Sequence, residues 1–505
     1  MALKNLPAIF LLLLLAGCTL KPQNTFSSME DFKKIKSALN LQKLAEKKTL
    51  SLAAAQSAAL QNNPTYQAAY QAIRTAKYRY YRSLAAYLPT VQSRLQPQQS
   101  LRNSYHIKNP PAGIMPYENY FSTETTLPAS WLVFDGFERE FAMLIARESY
   151  DKSLYEDANA RRLLLQAVAY AYYDIMLSEA RTIIAQADLD FQNSALEQAR
   201  SRYRFGKNSM AAVLNFQILG NDARSAILSA KTRTASARYA LAALMGGTVE
   251  YLPEEIKLEP LQITGAIQLE PLQTYCDMAI ANRSDLAAAR SELQISHYRY
   301  LQGFSSFMPT IKLYYSGSFS NNNFRYAGYR YNASRYNHID NSYGAVMEWN
   351  LFEGFASYNL LRERKSLEET AQYNLQERFL QVIREVSDAR ENIINASGQL
   401  ELYRQSLEWV FEQRQLVQAE YNAAKATITR LNGAQSDLIR AENMLAIAQI
   451  ELNKAIVQLQ SAIEGDYTNL PENKIIKPAI MATFDKLLQQ LTGKFKEIPA
   501  NKPIR

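Results

Sequence analysis

The sequence predicts a mixed chain in which long coiled-coil helices join membrane β-strands, and it writes that plan twice. Three observations predict it. The phrase Trp131-Leu132-Val133-Phe134-Asp135-Gly136-Phe137 recurs as Trp349-Asn350-Leu351-Phe352-Glu353-Gly354-Phe355, 349 − 131 = 218 residues later. Alternating runs of about ten residues, the length of a membrane strand, precede each copy. A proline-free stretch with a heptad seam follows each copy.

The N-terminus comes first in order. Lys4 supplies a charged start, and Leu6 to Leu15 forms an apolar core. At about ten residues it is too short to span a bilayer and fits a signal peptide, residues 1–17. It ends in Leu15-Ala16-Gly17-Cys18, which resembles the bacterial lipobox, in which the Cys is lipidated and becomes the first mature residue. Thr19 stands where an Asp would retain a lipoprotein in the inner membrane, so outer-membrane lipid is the expected partner. The alternative is an ordinary signal peptide that contains a Cys. Residues 18–49 form an N-terminal lead.

Residues 50–247 form the first copy and 270–465 the second, with 248–269 as linker and 466–505 as a basic tail. Length alone suggests about three domains, but a fixed offset overrides that prior. Lys77–Tyr80 recurs at His297–Tyr300 and Tyr87–Thr90 at Phe307–Thr310, both offset by 220; Tyr203 matches Tyr421 and Lys207 matches Lys425, offset by 218. The expected strand pairs cover about 90–134 and 310–352. Polar tracts at 102–120 and 321–341, rich in Tyr and Asn, read as hairpin loops exposed to water. Soluble hairpins packed on helices are the alternative.

The repeated phrase reads as a strand-to-helix joint. Asp135 and Glu353 suit a helix start, where acids meet unpaired N–H groups, and Gly136 and Gly354 permit the change of direction. From Gly136 to about Tyr203, 67 residues at 1.5 Å each predict a helix near 100 Å long. Phe379, Val382, Val386, Ala389, Ile393 and Ala396 step by three and four, a left-handed coiled-coil seam. Leu438, Ala441, Leu445, Ala448, Leu452, Ala455, Leu459 and Ala462 make a second, and the same phase recurs 218 residues earlier. Tips are expected near 206 and 425.

Four strands cannot close a barrel, and open edges are not tolerated in lipid. Three copies supply 12 strands, enough for a barrel with a water-filled bore. The expected fold is therefore a trimeric 12-strand β-barrel, four strands per chain, continuous with a long periplasmic α-helical barrel.

The chain resembles the TolC family of outer-membrane efflux proteins, in its lipoprotein, OprM-like branch. The resemblance covers about residues 50–465. It rests on the lipobox, the two-copy order and the tip phrases 203–217 and 421–435. These are similar to the family's Tyr-x-x-Gly-x-x-Ser/Thr tip through Tyr203, Gly206 and Ser209, and through Tyr421 and Thr427, with Ala424 replacing the Gly. The resemblance implies a homotrimeric channel that exports solutes or drugs passively, with these tip residues meeting a periplasmic adaptor coupled to an inner-membrane pump of RND or ABC type. It implies no catalysis and no cofactor beyond covalent lipid on Cys18. The alternatives are a type I protein-secretion channel and, from another class, a non-conducting trimeric coiled-coil spacer or adhesin.

At the pore entrance the sequence departs from that family. Two Asp positions that form acidic rings in TolC align, on Tyr421, with Arg430 and Gly433; the copy-one equivalents are Ala212 and Asn215. Tyr421 retains the family's latching Tyr, while Ala426 replaces its Arg. With no acid at any of these positions the entrance lacks acidic cation selectivity, and anions are favoured if Arg430 faces the lumen. The alternative is that Arg430 turns outward or pairs with an acid such as Asp437.

Other classes find little support. His106, His297 and His338 have no Cys or His at metal-ligand spacing. No phosphate loop or nucleophile elbow is present, so no enzyme and no metal site is expected. The formal net charge is +8, but no nucleic-acid motif accompanies it. Cys276 is the one Cys besides Cys18, so no internal disulfide is expected in the mature chain.

Overall fold

Two series of elements of matching length run through the chain. The structure, a computed structural model, describes residues 49–103, 117–206, 209–247, 252–259, 269–326, 334–423 and 425–464. The signal peptide, Cys18, nearly all of the 18–49 lead, His106, Lys207, Ala424 and the 466–505 tail lie outside the described residues. The first series is α1 (Leu52–Asn62), α2 (Pro64–Ala85), β2 (Thr90–Val91), β3 (Arg94–Asn103), β4 (Tyr117–Phe134), α3 (Glu138–Arg204) and α4 (Met210–Leu244), after a short β1 (Thr49–Leu50). The second is α5 (Leu272–Asn282), α6 (Ser284–Gln302), β6 (Thr310–Tyr326), β7 (Ser334–Glu348), α7 (Ala356–Asn422) and α8 (Ile428–Ile463), after β5 (Lys257–Leu258). Helices α3 and α7 are both 67 residues long, the length read from the sequence. Among the described residues no helix is long and apolar enough to cross a membrane.

The heptad seams close helix hairpins within the chain. Val382, Val386, Ala389 and Ile393 of α7 pack with Leu452, Ala455 and Leu459 of α8, and α5 adds Cys276 and Ala279. In copy one, Val168, Tyr172 and Ile175 of α3 pack with Leu241 of α4 and Ala55 and Ala59 of α1. The small side chains let the helix axes approach closely. Ala448 of α8 is buried within the single chain as well.

The sheet runs β2–β4–β6–β7, with β3 pairing β4 as the continuation of β2. All these pairings are antiparallel. The first strand is interrupted at Gln92–Ser93, opposite Leu127–Pro128. Pro128 has no N–H to give the ladder; its carbonyl still accepts from Gln92 N at 2.9 Å.

The strands are longer than their hydrophobic alternation. The tract 321–341 reads as loop, yet β6 reaches Tyr326 and β7 begins at Ser334. Likewise Arg102, Asn103 and 117–120 belong to strands. The apolar alternation stops before backbone pairing does, and the polar continuation carries no hydropathy signal. The linker also holds structure unread from the sequence: β5 pairs in parallel with β1. Tyr172 Oη donates to Leu50 O at 2.9 Å and accepts from Glu259 N at 2.9 Å. Arg238 donates to Pro253 O and Ile256 O.

Candidate functional site

Three regions carry the functional reading: the two faces of the sheet, the strand-to-helix joints and the helical tips. Pairing register sorts the strand residues by face, because side chains alternate with period two. One face carries Trp131, Leu313 and Ala345 in one cross-strand row, and Ala129, Tyr315 and Tyr343 in another. Phe121, Leu127, Val133, Phe319, Ile339 and Met347 share it and are exposed in the single chain. The opposite face reads Pro128, Ser316 and Ser342, then Thr126, Ser318 and Asp340, then Glu124, Ser320 and His338. Its charges include the pair Lys312–Glu348 at 3.4 Å and the His338–Asp340 contact. One sheet thus separates an apolar surface from a hydroxyl-rich one.

The two joints share one backbone. Gly136 and Phe137 have φ of +68° and +69°, and Gly354 and Phe355 have +60° and +65°. Two successive left-handed residues turn the chain from strand to helix, and the glycine takes the first without strain. In each copy the two Phe rings meet edge to face, at 5.5 Å for Phe134–Phe137 and 5.6 Å for Phe352–Phe355. A bulge at Val133 sharpens the exit from β4. Trp131 Nε1 donates to Tyr87 O at 3.0 Å, and Trp349 Nε1 donates to Phe307 O at 3.1 Å. Each Trp ties the strand exit to the chain entering the same strand pair.

The surroundings of the joints differ. Asp135 is buried and accepts from Arg139 Nε at 2.8 Å and Arg139 N at 3.2 Å. The same guanidinium donates to Leu132 O at 2.6 Å, Val133 O at 3.0 Å and Ala86 O at 3.3 Å, and lies 5.0 Å from the Tyr87 ring. Burial raises the Glu140 carboxyl above its ordinary range, and Asp135 nearby adds to the rise. In copy two Glu353 is exposed and accepts from Asn350 Nδ2 at 2.5 Å and Ser357 Oγ at 3.0 Å. Arg139, whose counterpart is Ser357, has no signal in the repeated phrase that could have found it.

At the tips, Gly206 has φ +68° and follows the end of α3, and among the described residues nothing lies within 4 Å of a Cβ placed on it. Ser209 begins α4 with no side-chain cap bond. Thr427 caps α8, its Oγ1 accepting from Arg430 N at 3.3 Å. Tyr203 is exposed, but Tyr421 is buried with Val417, Leu431, Ala195 and Phe216 in an apolar cluster shared by both copies. Arg202 lies 4.9 Å from the Tyr421 ring and donates to Tyr421 O at 3.3 Å. Tyr421, expected at the pore entrance as the latching Tyr, is covered within the chain: its ring completes the tip core.

The four entrance positions also divide. Arg430 and Gly433 are exposed. Arg430 pairs with Glu420 at 3.3 Å, whereas Asp437 pairs with Arg440. Ala212 is buried, and Asn215 Oδ1 accepts from Asn432 Nδ2 at 2.6 Å. Asn215 faces the other tip of the same chain, because sequence alignment fixes helix position but not which neighbour covers it.

Comparison with known proteins fits this geometry. The chain is 23 % identical over 347 residues to the alkaline protease secretion protein AprF of Pseudomonas aeruginosa, covering 67 % of each chain. It is 22 % identical over 346 residues to the outer membrane protein TolC of Vibrio cholerae, covering 68 % of this chain and 75 % of that one. Its fold matches the crystal structure of the outer membrane protein VceC of Vibrio cholerae with a TM-score of 0.69 at 16 % identity, over 82 % of this chain and 96 % of that one. The profile of the family described as "Outer membrane efflux protein" matches residues 55–247 and 276–465. The chain therefore belongs to the outer membrane efflux protein family, whose members form channels.

Proposed function

We propose that three copies of this chain close a 12-strand barrel, with the apolar face in the outer membrane and the hydroxyl-rich face lining a bore that the long helices extend into the periplasm. The observation that carries this reading is the sheet. It has one apolar and one polar face and two open edges, at β2/β3 and at β7. Open edges are not tolerated in lipid, and closure onto further copies removes them.

Surfaces bare in one copy and covered in the other support the same assembly. Helix α3 packs against α6 and α8 within the chain. Moving that arrangement by one copy puts α7 against α2 and α4 of the next chain. Helix α2 has no buried residue in the single chain. Leu402, Trp409 and Leu416, seven residues apart on α7, are exposed, as are Leu214, Ile218 and Leu228 on α4. These stripes cover each other in the trimer.

The channel conducts passively, joined through a periplasmic adaptor to an inner-membrane pump. Residues Tyr203, Gly206, Ser209, Tyr421 and Thr427 belong to the tips that meet the adaptor, and photo-crosslinkers at Lys207 and Lys425 test it: capture of the adaptor from the strand loops instead reverses the orientation. Efflux of solutes or drugs is favoured over protein secretion by the family, although one relative is named for secretion of a protease. Cys18 carries the lipid anchor; an intact mass with no acyl chains on an N-terminal Cys would remove it.

The experiment for the main reading is single-channel recording in a planar bilayer. A non-conducting chain would be a spacer or adhesin. The same preparation reports selectivity. Arg430 and Gly433 give the entrance no acidic ring, and the Arg430–Glu420 pair leaves it nearly neutral, so weak ion preference is expected. Strong cation selectivity in the wild type would refute this, and an unchanged reversal potential in Arg430→Ala would take Arg430 out of the bore.

A further inference from the structure

Six charged side chains meet between the two copies, and none has a charged counterpart. They are Arg162 on α3, Arg283 and Asp285 at the turn into α6, Arg378 and Glu385 on α7, and Glu464 at the end of α8. The counterparts, at the 218 and 220 offsets, are Leu380, Asn63, Thr65, Ala160, Ala167 and Gly246. Arg283 is 2 % exposed and donates to both oxygens of Asp285 and, at 2.6 Å, to Glu385. Glu464, also buried, accepts from Ser284 N at 2.8 Å and Ser284 Oγ at 2.8 Å, capping α6 from another helix. Arg162 donates to Ser461 O at 3.2 Å and Asn159 Oδ1 at 2.7 Å, and its guanidinium lies 3.9 Å from both Asp285 and Glu464.

Burial would raise the Asp285 carboxyl, but hydrogen bonds and charge from Arg283 outweigh it and hold the group below its ordinary range. Such clusters add little stability over apolar packing of the same volume, yet breaking one is costly. Their use is discrimination. A chain built from two like copies has to choose. Helix α3 can dock on α6 of its own chain or on the like-shaped α2 of another.

We propose that this cluster is a junction code: it commits α3 to α6 within the chain and reserves the uncharged counterpart, Leu380 against Asn63 and Thr65 of a second copy, for the junction between chains. The code rests on the closed-ring reading above. Docking α3 on a second chain's α2 would bury Arg162 against Asn63 and Thr65, with no acid at either position. Docking the exposed Leu380 face of α7 on the α6 of a second chain would bury Arg283 and Asp285 against Leu380. Leu380 is 67 % exposed and Thr65 is exposed in the single chain, as a surface reserved for a second copy requires, while Asn63 is already buried, its Nδ2 donating to Leu244 O and its Oδ1 capping α2.

The test is native mass of the full-length protein in detergent. Leu380→Arg puts a within-chain charge on the between-chain face without touching the buried cluster. The expected result is about a hundredfold weaker three-chain assembly, from a buried charge without an acid. Adding Thr65→Asp restores it, and the reversed pair, Leu380→Asp with Thr65→Arg, does the same. An assembly indifferent to Leu380→Arg, or failure of both pairs to rescue, overturns the code. A wild type with no three-chain assembly removes the ring reading and the code with it.

Discussion

The two strand-to-helix joints have one backbone and two environments. Joint one is built in. A Cβ on Gly136 would lie 2.8 Å from Met308 Cβ and 2.9 Å from Ser305 O, so copy two packs directly on it. Joint two is bare: among the described residues nothing lies within 4 Å of a Cβ on Gly354. Phe352 and Phe355 are 74 % and 68 % exposed. The residues that stand to joint two as Ser305 and Met308 stand to joint one are Ala85 and Leu88, at the 220 offset, and Leu88 is exposed. The difference teaches that a shared local pattern, Phe, acid, Gly and Phe, fixes the turn, while position in the chain decides what covers it. Copy one has its neighbour in the same chain, and copy two has to find one.

Arg139→Leu is the change expected to separate the joints most. It strands buried Asp135 and removes three backbone carbonyl bonds. Removing one partner of a buried pair costs about 3–5 kcal/mol, read as a lowered unfolding midpoint in detergent. Ser357→Leu, its counterpart, should move that midpoint little. An equal effect of the two would mean that the joints are equally built in.

Gly136→Ala comes next. The left-handed φ and the approach of Ser305 backbone together should cost about 2–4 kcal/mol. Gly354→Ala carries the φ cost alone in the single chain, about 1 kcal/mol. If it costs as much as Gly136→Ala in the assembled protein but not in the dissociated chain, a second copy covers joint two as Met308 covers joint one. Equal cost in both states would break that correspondence.

The smallest effect should also be the most even. Trp131→Phe and Trp349→Phe each remove one bond, to Tyr87 O and Phe307 O. Loss of one such bond costs about 0.5–1.5 kcal/mol. The two values should agree, since this contact is the same in both copies.

What the sequence disclosed follows from which forces leave a periodic mark. The 67-residue helices, the seam through Val382, Val386 and Ala389, and the turn at Gly136 and Gly354 were legible, because seven-residue and two-residue periods and a needed positive φ select residue types. The far ends of β6 and β7 were not, since polar residues on both faces leave the backbone pairing unmarked. Arg283 and Glu464 were not either: Arg283 reaches Glu385 and Glu464 reaches Ser284 across elements distant in sequence, where no spacing rule applies. Arg139 stands four residues after Asp135, but its bonds to the Leu132, Val133 and Ala86 carbonyls leave no mark in the repeat. At the tip, the Gly206 turn and the Thr427 cap could be read locally. The burial of Tyr421 under Arg202 depends on a residue 219 positions away.

Helices α3 and α7 are equal at 67 residues, so Phe205 and Ala423 end their copies at one level. This ties the two halves together in their history as well as in space. Deleting one heptad from a single copy would withdraw its tip by about 10 Å, pulling Ala195 and Phe216 out of the cluster they share with Tyr421 and Leu431. A change of length is therefore tolerable only when both halves make it together, or when it falls in the polar tracts at the far ends of the strands. Two segments free to diverge residue by residue are bound to keep the same measure.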